Sequence, residues 1–201
     1  MKRLVALMIV AVMLFGVLLT ACSDDGIPDD LVPYNIGADG KPSSYYKNEY
    51  DDQGRLISNY KYNSKGKLLG YTVHEYDELG NEVRAVDYDP DDKIVSQVKW
   101  EYNAKGKITK RTDINAENTI YSIIRYEYDD QNRDVGEYRY YGDGTLRYYD
   151  TYEYDENNQI NKTSHFDADG TLKYYVVYEV DENGHTTEYT YNADGSLKSV
   201  D

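Results

Sequence analysis

This chain is poor in the residues from which active sites and crosslinks are built. Its single cysteine, Cys22, excludes any internal disulfide. Its three histidines, His74, His165 and His185, form no metal-spaced His/Cys cluster. There is no Gly-x-Ser-x-Gly elbow, and no glycine loop opens a helix to cradle phosphate. Together these absences point to a protein that is not an enzyme and needs no cofactor or metal. Positive charge is short as well, with 22 Lys and Arg against 37 Asp and Glu and a formal net charge of −15. That balance opposes nucleic acid and anionic lipid head groups.

What is abundant is repetition, carried by 25 tyrosines. A Tyr-Asp/Asn-x-x-Gly signal begins at Tyr50, Tyr62, Tyr76, Tyr88, Tyr102, Ile114, Tyr128, Tyr140, Tyr154, Phe166 and Val180. A weaker copy starts at Ile36 and a last one at Tyr191. The steps alternate between a shorter one, as from Tyr50 to Tyr62, and a longer one, as from Tyr62 to Tyr76, which is the rhythm of stacked β-hairpins. Asp or Asn follows the anchor in every copy except Gly37 and Tyr141, as the first position of a type I turn favours. Three residues further stands Gly, or else Asp92, Asn118, Asn132 or Asn158, the residues that best tolerate a left-handed backbone. This turn chemistry places Tyr50 across from Leu56, Tyr62 from Leu68, Tyr88 from Ile94, Tyr102 from Ile108, Tyr140 from Leu146, Tyr154 from Ile160 and Phe166 from Leu172. Each aromatic-aliphatic pair contributes roughly 0.2–1 kcal/mol. Glu82 opposite Tyr76 and Asp134 opposite Tyr128 break the pattern.

Because every anchor from Ile36 to Val180 is even-numbered, strand alternation predicts one face made of even-numbered residues. That face, with Ile94, Val98, Trp100 and Tyr102 in one strand and Leu172, Tyr174, Val176, Tyr178 and Val180 in another, is expected to be buried. The odd face carries an evenly spaced series of acids, Glu49, Glu75, Glu101, Glu127, Glu153 and Glu179, and is expected to be wet. On the odd face Tyr45, Tyr71, Tyr149 and Tyr175 fall on one column, interrupted by Gln97 and Ile123. Such rings are the candidate ligand-binding residues, able to stack on a glycan or peptide. Tyr is also simply a favoured strand residue. Ionisable residues on the even face, Glu82, Arg84, Lys110, Asp134, Asp150 and Lys162, form a candidate inward polar site; His74 is expected inward and His165 outward. The acidic turns at 89–92, 167–170 and 193–195 lack the ligand set of a calcium loop. The fold expected is all-β: a meander of 13 strands that curls into an open superhelical ribbon or partly open barrel.

Residues 1–21 differ from the rest. Lys2 and Arg3 precede an uncharged apolar run from Leu4 to Ala21, a secretory signal pattern, with a plain membrane helix as the other reading. The run ends in Leu19-Thr20-Ala21-Cys22, which resembles the lipobox of bacterial lipoproteins. The resemblance implies cleavage before Cys22, a diacylglyceryl group on its thiol, and display on the extracytoplasmic side of the cell membrane. The domains expected are a signal peptide at 1–21, a lipid anchor and tether at 22–35, and a repeat domain at 36–201.

The repeat itself, as in Tyr50-Asp51-Asp52-Gln53-Gly54-Arg55-Leu56 and Tyr76-Asp77-Glu78-Leu79-Gly80-Asn81, resembles the YD-repeat or Rhs-like proteins over residues 36–201. It is most similar to the short YD-repeat lipoproteins of gut bacteria. The functional expectation is a non-catalytic surface binding module for envelope or host glycans or for a surface protein, with a self-associating scaffold as the alternative. Replacing Cys22 by Ser is expected to abolish incorporation of labelled palmitate in a bacterial host and to leave the precursor uncleaved. Labelling at the level of the natural chain would exclude Cys22 as the anchor.

Overall fold

The computed structural model describes residue 27 and residues 30–201. Cys22 and the expected signal segment lie outside the described residues. The described chain is all β. Its strands are β1 (Val32–Ile36), β2 (Pro42–Tyr50), β3 (Leu56–Asn63), β4 (Leu68–Tyr76), β5 (Glu82–Tyr88), β6 (Ile94–Tyr102) and β7 (Ile108–Asn115). They continue as β8 (Ile120–Tyr128), β9 (Asp134–Tyr141), β10 (Leu146–Tyr154), β11 (Ile160–Asp167), β12 (Leu172–Val180), β13 (Thr186–Asn192) and β14 (Leu197–Val200). All 14 belong to one sheet in sequence order, and β1 does not meet β14, so the sheet is an open meander. The expected count of 13 equated strands with turn signals, whereas each signal joins two strands and the series has one strand more than turns. The segment expected as tether runs into β1.

The turns form as their chemistry requires. Asp51 N–H donates to the Arg55 carbonyl at 2.9 Å and Gly54 N–H to the Asp51 carbonyl at 2.9 Å. Asp51 Oδ1 then accepts the amides of Gln53 and Arg55, each at 2.9 Å. Only a short side chain ending in an acceptor reaches both amides, which is why Asp or Asn stands there. Where the pattern departs, at Gly37 and Tyr141, the carboxylates of Asp39 and Asp143 take the Lys41 and Thr145 amides instead. Asp92, Asn118, Asn132 and Asn158 hold φ between 60° and 65°, in the left-handed slot occupied elsewhere by Gly.

The cross-strand pairs beside the turns occur as expected, from Tyr50↔Leu56 to Phe166↔Leu172, and so do the exceptions Tyr76↔Glu82 and Tyr128↔Asp134. One residue further along, however, the register slips. Tyr50 faces Leu56 while Glu49 faces Ser58, so Ile57 is bulged out of the ladder. The slip recurs in nearly every hairpin. Beyond it, even-numbered residues face odd ones, as in Asn48↔Asn59, Thr72↔Asp87 and Gln97↔Ile114. This overturns the division of the sheet into an even buried face and an odd wet one. Beyond each slip, one face, here the Glu face, takes odd residues from β2, β4, β6, β8, β10 and β12 and even residues from the strands between them, while residues before the slip, such as Glu82 and Asp134, lie on the other. The other, the Trp face, carries Trp100.

Burial follows the corrected assignment. The most buried apolar side chains are Val86 at 1% and Ile114 at 4% exposure, on the Glu face together with Gln97 at 5%. Val180, expected in the core, is 52% exposed. With no second sheet or helix against it among the described residues, each face packs sideways through its own rows. Tyr71 is stacked between Tyr60 and Tyr88 with centroids 5.4 and 4.9 Å away, and Tyr149 between Tyr138 and Phe166 at 5.1 and 4.7 Å.

At the start of β3, β5, β7 and β9 a tyrosine hydroxyl closes a backbone carbonyl. The phenols of Tyr76, Tyr102, Tyr128 and Tyr154 donate to the carbonyls of Leu56, Glu82, Ile108 and Asp134 at 2.8, 2.6, 2.7 and 2.6 Å. These tyrosines recur at the same interval as the Glu series, each directly after one of its members, so the repeat length preserves the latch as well as the turn. A β-bulge disrupts local pairing, and a buried backbone acceptor without a partner is costly. Arg55 lies over the Tyr76 ring at 4.9 Å and Arg133 over the Tyr154 ring at 4.5 Å, each also bound to the aspartate of its own turn. Tyr102→Phe is expected to cost about 1 kcal/mol, the usual worth of one hydrogen bond, and to lower the thermal midpoint by about 2–4 °C. An unchanged midpoint would show that the latch adds nothing to stability.

Candidate functional site

The four tyrosines expected to form a column are each packed against neighbours. Tyr45 is 8% exposed beneath Ile27 and Leu31, with Tyr62 packed alongside, so it offers no surface to a ligand. Both ring faces of Tyr71 and Tyr149 are covered by their stacking partners, and the Tyr71 hydroxyl donates to Asp92 Oδ1 at 2.7 Å. Tyr175 stacks on Tyr191 at 5.0 Å, and Lys162 Nζ lies 5.5 Å from its ring centre. Spacing along alternate strands, about 10 Å apart, suggests rings open to solvent. The intervening strands bring aromatic rings between the members of the column, so the rings satisfy one another.

The expected inward polar site is divided between the faces. Arg84, Lys110 and Lys162 lie on the Glu face, directly across from Glu75, Glu101 and Glu153, with nitrogen-oxygen distances of 2.7 Å in all three pairs. Glu82, Asp134 and Asp150 lie on the Trp face. There His74 Nδ1 meets Glu82 at 2.6 Å and His165 Nδ1 meets Asp150 at 2.7 Å, the His165 ring stacking on Tyr174 at 4.9 Å. Burial raises the Asp134 carboxyl above its ordinary range. Among the described residues no group of three or more His, Cys, Asp or Glu is arranged to hold a metal ion.

A different site appears on the Trp face near its N-terminal end. Cross-strand pairing sets Asn48, Asn59, Thr72, Asp87 and Ser96 in one polar row over five strands, β2 to β6. Beside it runs a second row, Tyr46, Lys61 and Gly70. Two open hollows lie over these rows and share Asn59 and Lys61. The first is lined by Tyr34, Tyr46, Asn48, Asn59 and Lys61, and the second reaches Gly70, Thr72 and Asp87. Asn59 donates to Asn48, which donates to the Tyr50 hydroxyl at 3.0 Å. Thr72 and Ser96 both donate to Asp87, at 2.7 and 2.6 Å. Tyr34 and Tyr46 meet edge to face with centroids 5.8 Å apart and planes at 87°.

Gly70 shapes this floor. Its φ is +153°, and a Cβ there would stand 2.6 Å from the Tyr88 carbonyl oxygen, so no larger residue fits. It faces Lys61 directly and leaves that side of the lysine open. A lone glycine inside a strand marks close backbone approach, and Gly70 is the one sequence signal that points here. The polar row itself is legible only once the register slip is known.

No family profile and no curated protein matches the chain. Among solved structures it is similar to TcdB2-TccC3 without its hypervariable C-terminal region, at 15% identity and a TM-score of 0.40 over 77% of this chain. This chain spans 12% of that one's length. It is also similar to a porin-like protein from Bacteroides uniformis, at 11% identity and a TM-score of 0.39, covering 78% of this chain and 88% of that one. At such TM-scores neither likeness carries an argument about function.

The stacked rings make one solution property measurable. Burial, helped by the hydrogen bond to Glu127, pushes the Tyr138 phenol up to about 12 from its ordinary 10. The folded phenol thus keeps its proton to higher pH than the unfolded one. Its stabilising contribution is complete below pH 10 and is lost as pH rises to about 12. The thermal midpoint is expected to fall across that window, and less steeply in Tyr138→Phe. An equally steep fall in the variant would exclude Tyr138 as a source.

Proposed function

We propose that the chain is an exported, lipid-anchored binding module that works without catalysis and holds a glycan on the Trp face of its open sheet. The observation that carries this reading is the pair of joined hollows over Asn48, Asn59, Lys61, Thr72 and Asp87. Amide, hydroxyl and carboxylate groups beside accessible aromatic rings are the chemistry that recognises a polyhydroxylated ring, polar at its rim and apolar on its faces. The rows are built on strands, which hold such groups more firmly than loops do.

The alternative, a scaffold that grows by strand addition, has less support. Pro33 supplies no N–H to a neighbouring strand, and two register shifts interrupt β1. At the other edge β14 is short, Leu197–Val200, and carries Lys198. These are the features with which natural sheets discourage edge pairing.

The test is an array of glycans and cell-wall polymers probed with the full-length chain in a non-ionic detergent. A glycan hit is expected, and Asn59→Ala is expected to weaken it about tenfold, the cost of one or two lost hydrogen bonds. The triple replacement of Tyr71, Tyr149 and Tyr175 by Ser is expected to lower the thermal midpoint rather than act selectively on affinity. An array without hits, together with a mass that grows with concentration, would replace this reading with the scaffold.

A further inference from the structure

We infer that the first hollow takes the carboxylate of an acidic sugar, a uronic or sialic acid on an oligosaccharide, with Lys61 as its counter-ion. This rests on the binding-module reading and adds the charge of the ligand. The reasoning begins with an imbalance. In a chain of formal charge −15, the residues that line the first hollow include no Asp or Glu. Lys61 is exposed and, among the described residues, its ammonium group makes no hydrogen bond or ion pair. Lys47, Lys110, Lys162 and Lys173 are each held by a carboxylate, at 2.9, 2.7, 2.7 and 3.0 Å, whereas Lys65, Lys67, Lys93 and Lys99, like Lys61, make no ion pair among the described residues.

Two carboxylates, Asp87 and Asp89, line the second hollow together with Lys61. Asp87 accepts the hydroxyls of Thr72 and Ser96, and Asp89 accepts the amides of Asp91 and Lys93. Gly70, directly across the ladder, puts no side chain between the ammonium group and incoming solute. An ammonium on a flexible stem is a compact point charge that can meet an oxygen of a single carboxylate.

The remaining lining fits the rest of such a sugar. Asn59 uses one N–H on Asn48, and Asn48 uses one on Tyr50, so each amide retains a second N–H for a ring hydroxyl. The perpendicular Tyr34 and Tyr46 rings form a two-sided corner, and an aromatic face there can cover the apolar face of a pyranose. The adjoining hollow, with Thr72 and Asp87, is placed for hydroxyls of the next unit.

The experiment is calorimetric titration of the full-length chain, in a non-ionic detergent, with tetragalacturonate, with sialyllactose, and with the carboxyl-reduced form of each. Binding of one acidic probe is expected, and which of the two binds identifies the source of the carboxylate. Lys61→Ala is expected to weaken that binding by about tenfold or more, while Lys61→Arg stays within about threefold; carboxyl reduction should match the Ala loss, and added salt should weaken binding. Equal binding of the acidic and reduced probes, or no effect of Lys61→Ala, would overturn the proposal. If that binding still fell with Asn59→Ala, the module reading would stand and only the ligand charge would be lost. Absence of binding by all four probes also overturns the proposal, and the array then decides the module reading separately.

Discussion

The structure depends on a one-residue register slip placed beside nearly every turn. The turn itself closes with a left-handed residue, Gly54 or its equivalents, and the strand that follows bulges once before the ladder resumes. Without the bulge, even residues would pair with even residues and the two faces would be those that simple alternation describes. With it, the face of a given parity changes at each strand. Two such steps return the parity but do not bring a position back to its equivalent: Glu49 leads through Ser58 to Val73, one residue pair short of Glu75. Rows of facing side chains therefore cross the sheet obliquely, entering at one line of turns and leaving at the other.

That obliqueness solves the problem of a single-layer sheet. No second sheet or helix covers either face among the described residues, so apolar burial must come from neighbours in the same plane. Long flat side chains achieve it, because a ring lying against the next ring in its row shields both. Tyrosine suits this better than phenylalanine, since its hydroxyl still finds a partner at the row's edge: Glu49 for Tyr60, Asp92 for Tyr71 and Glu127 for Tyr138. The four latch tyrosines apply the same residue to a different need, closing a backbone carbonyl at the start of a strand. The abundance of tyrosine thus has a structural cause before it has a functional one, and the rings expected to face a ligand instead face each other.

The same geometry creates the candidate site. Near β1 to β5 the Trp face carries Asn, Thr and Asp beside the Tyr34 and Tyr46 rings, and Gly70 leaves a dip beside Lys61. The committed carboxylates around it and the uncommitted ammonium within it set the charge that a ligand would meet. Both sheet edges carry features that oppose strand addition.

What the turns themselves close was legible from the chain alone. The turn residues, the positions of positive φ outside the strands and the pairs from Tyr50↔Leu56 onward were all legible, because each depends on hydrogen bonds that close within a single turn. Even the exceptions at Glu82 and Asp134 were readable. Which side chains share a face was settled by the strand register. Ile57 looks no different in sequence from its neighbours, yet its place outside the ladder, repeated at the equivalent positions, moves Gln97 from solvent to a buried row and Arg84 from the inner site to the side of Glu75. A slip of one residue costs little locally, so local chemistry does not announce it, but in a strand of period two it inverts every assignment beyond it. The stacking that covers Tyr71 and Tyr149, and the gathering of Asn48, Asn59 and Lys61 into one hollow, follow from that inversion.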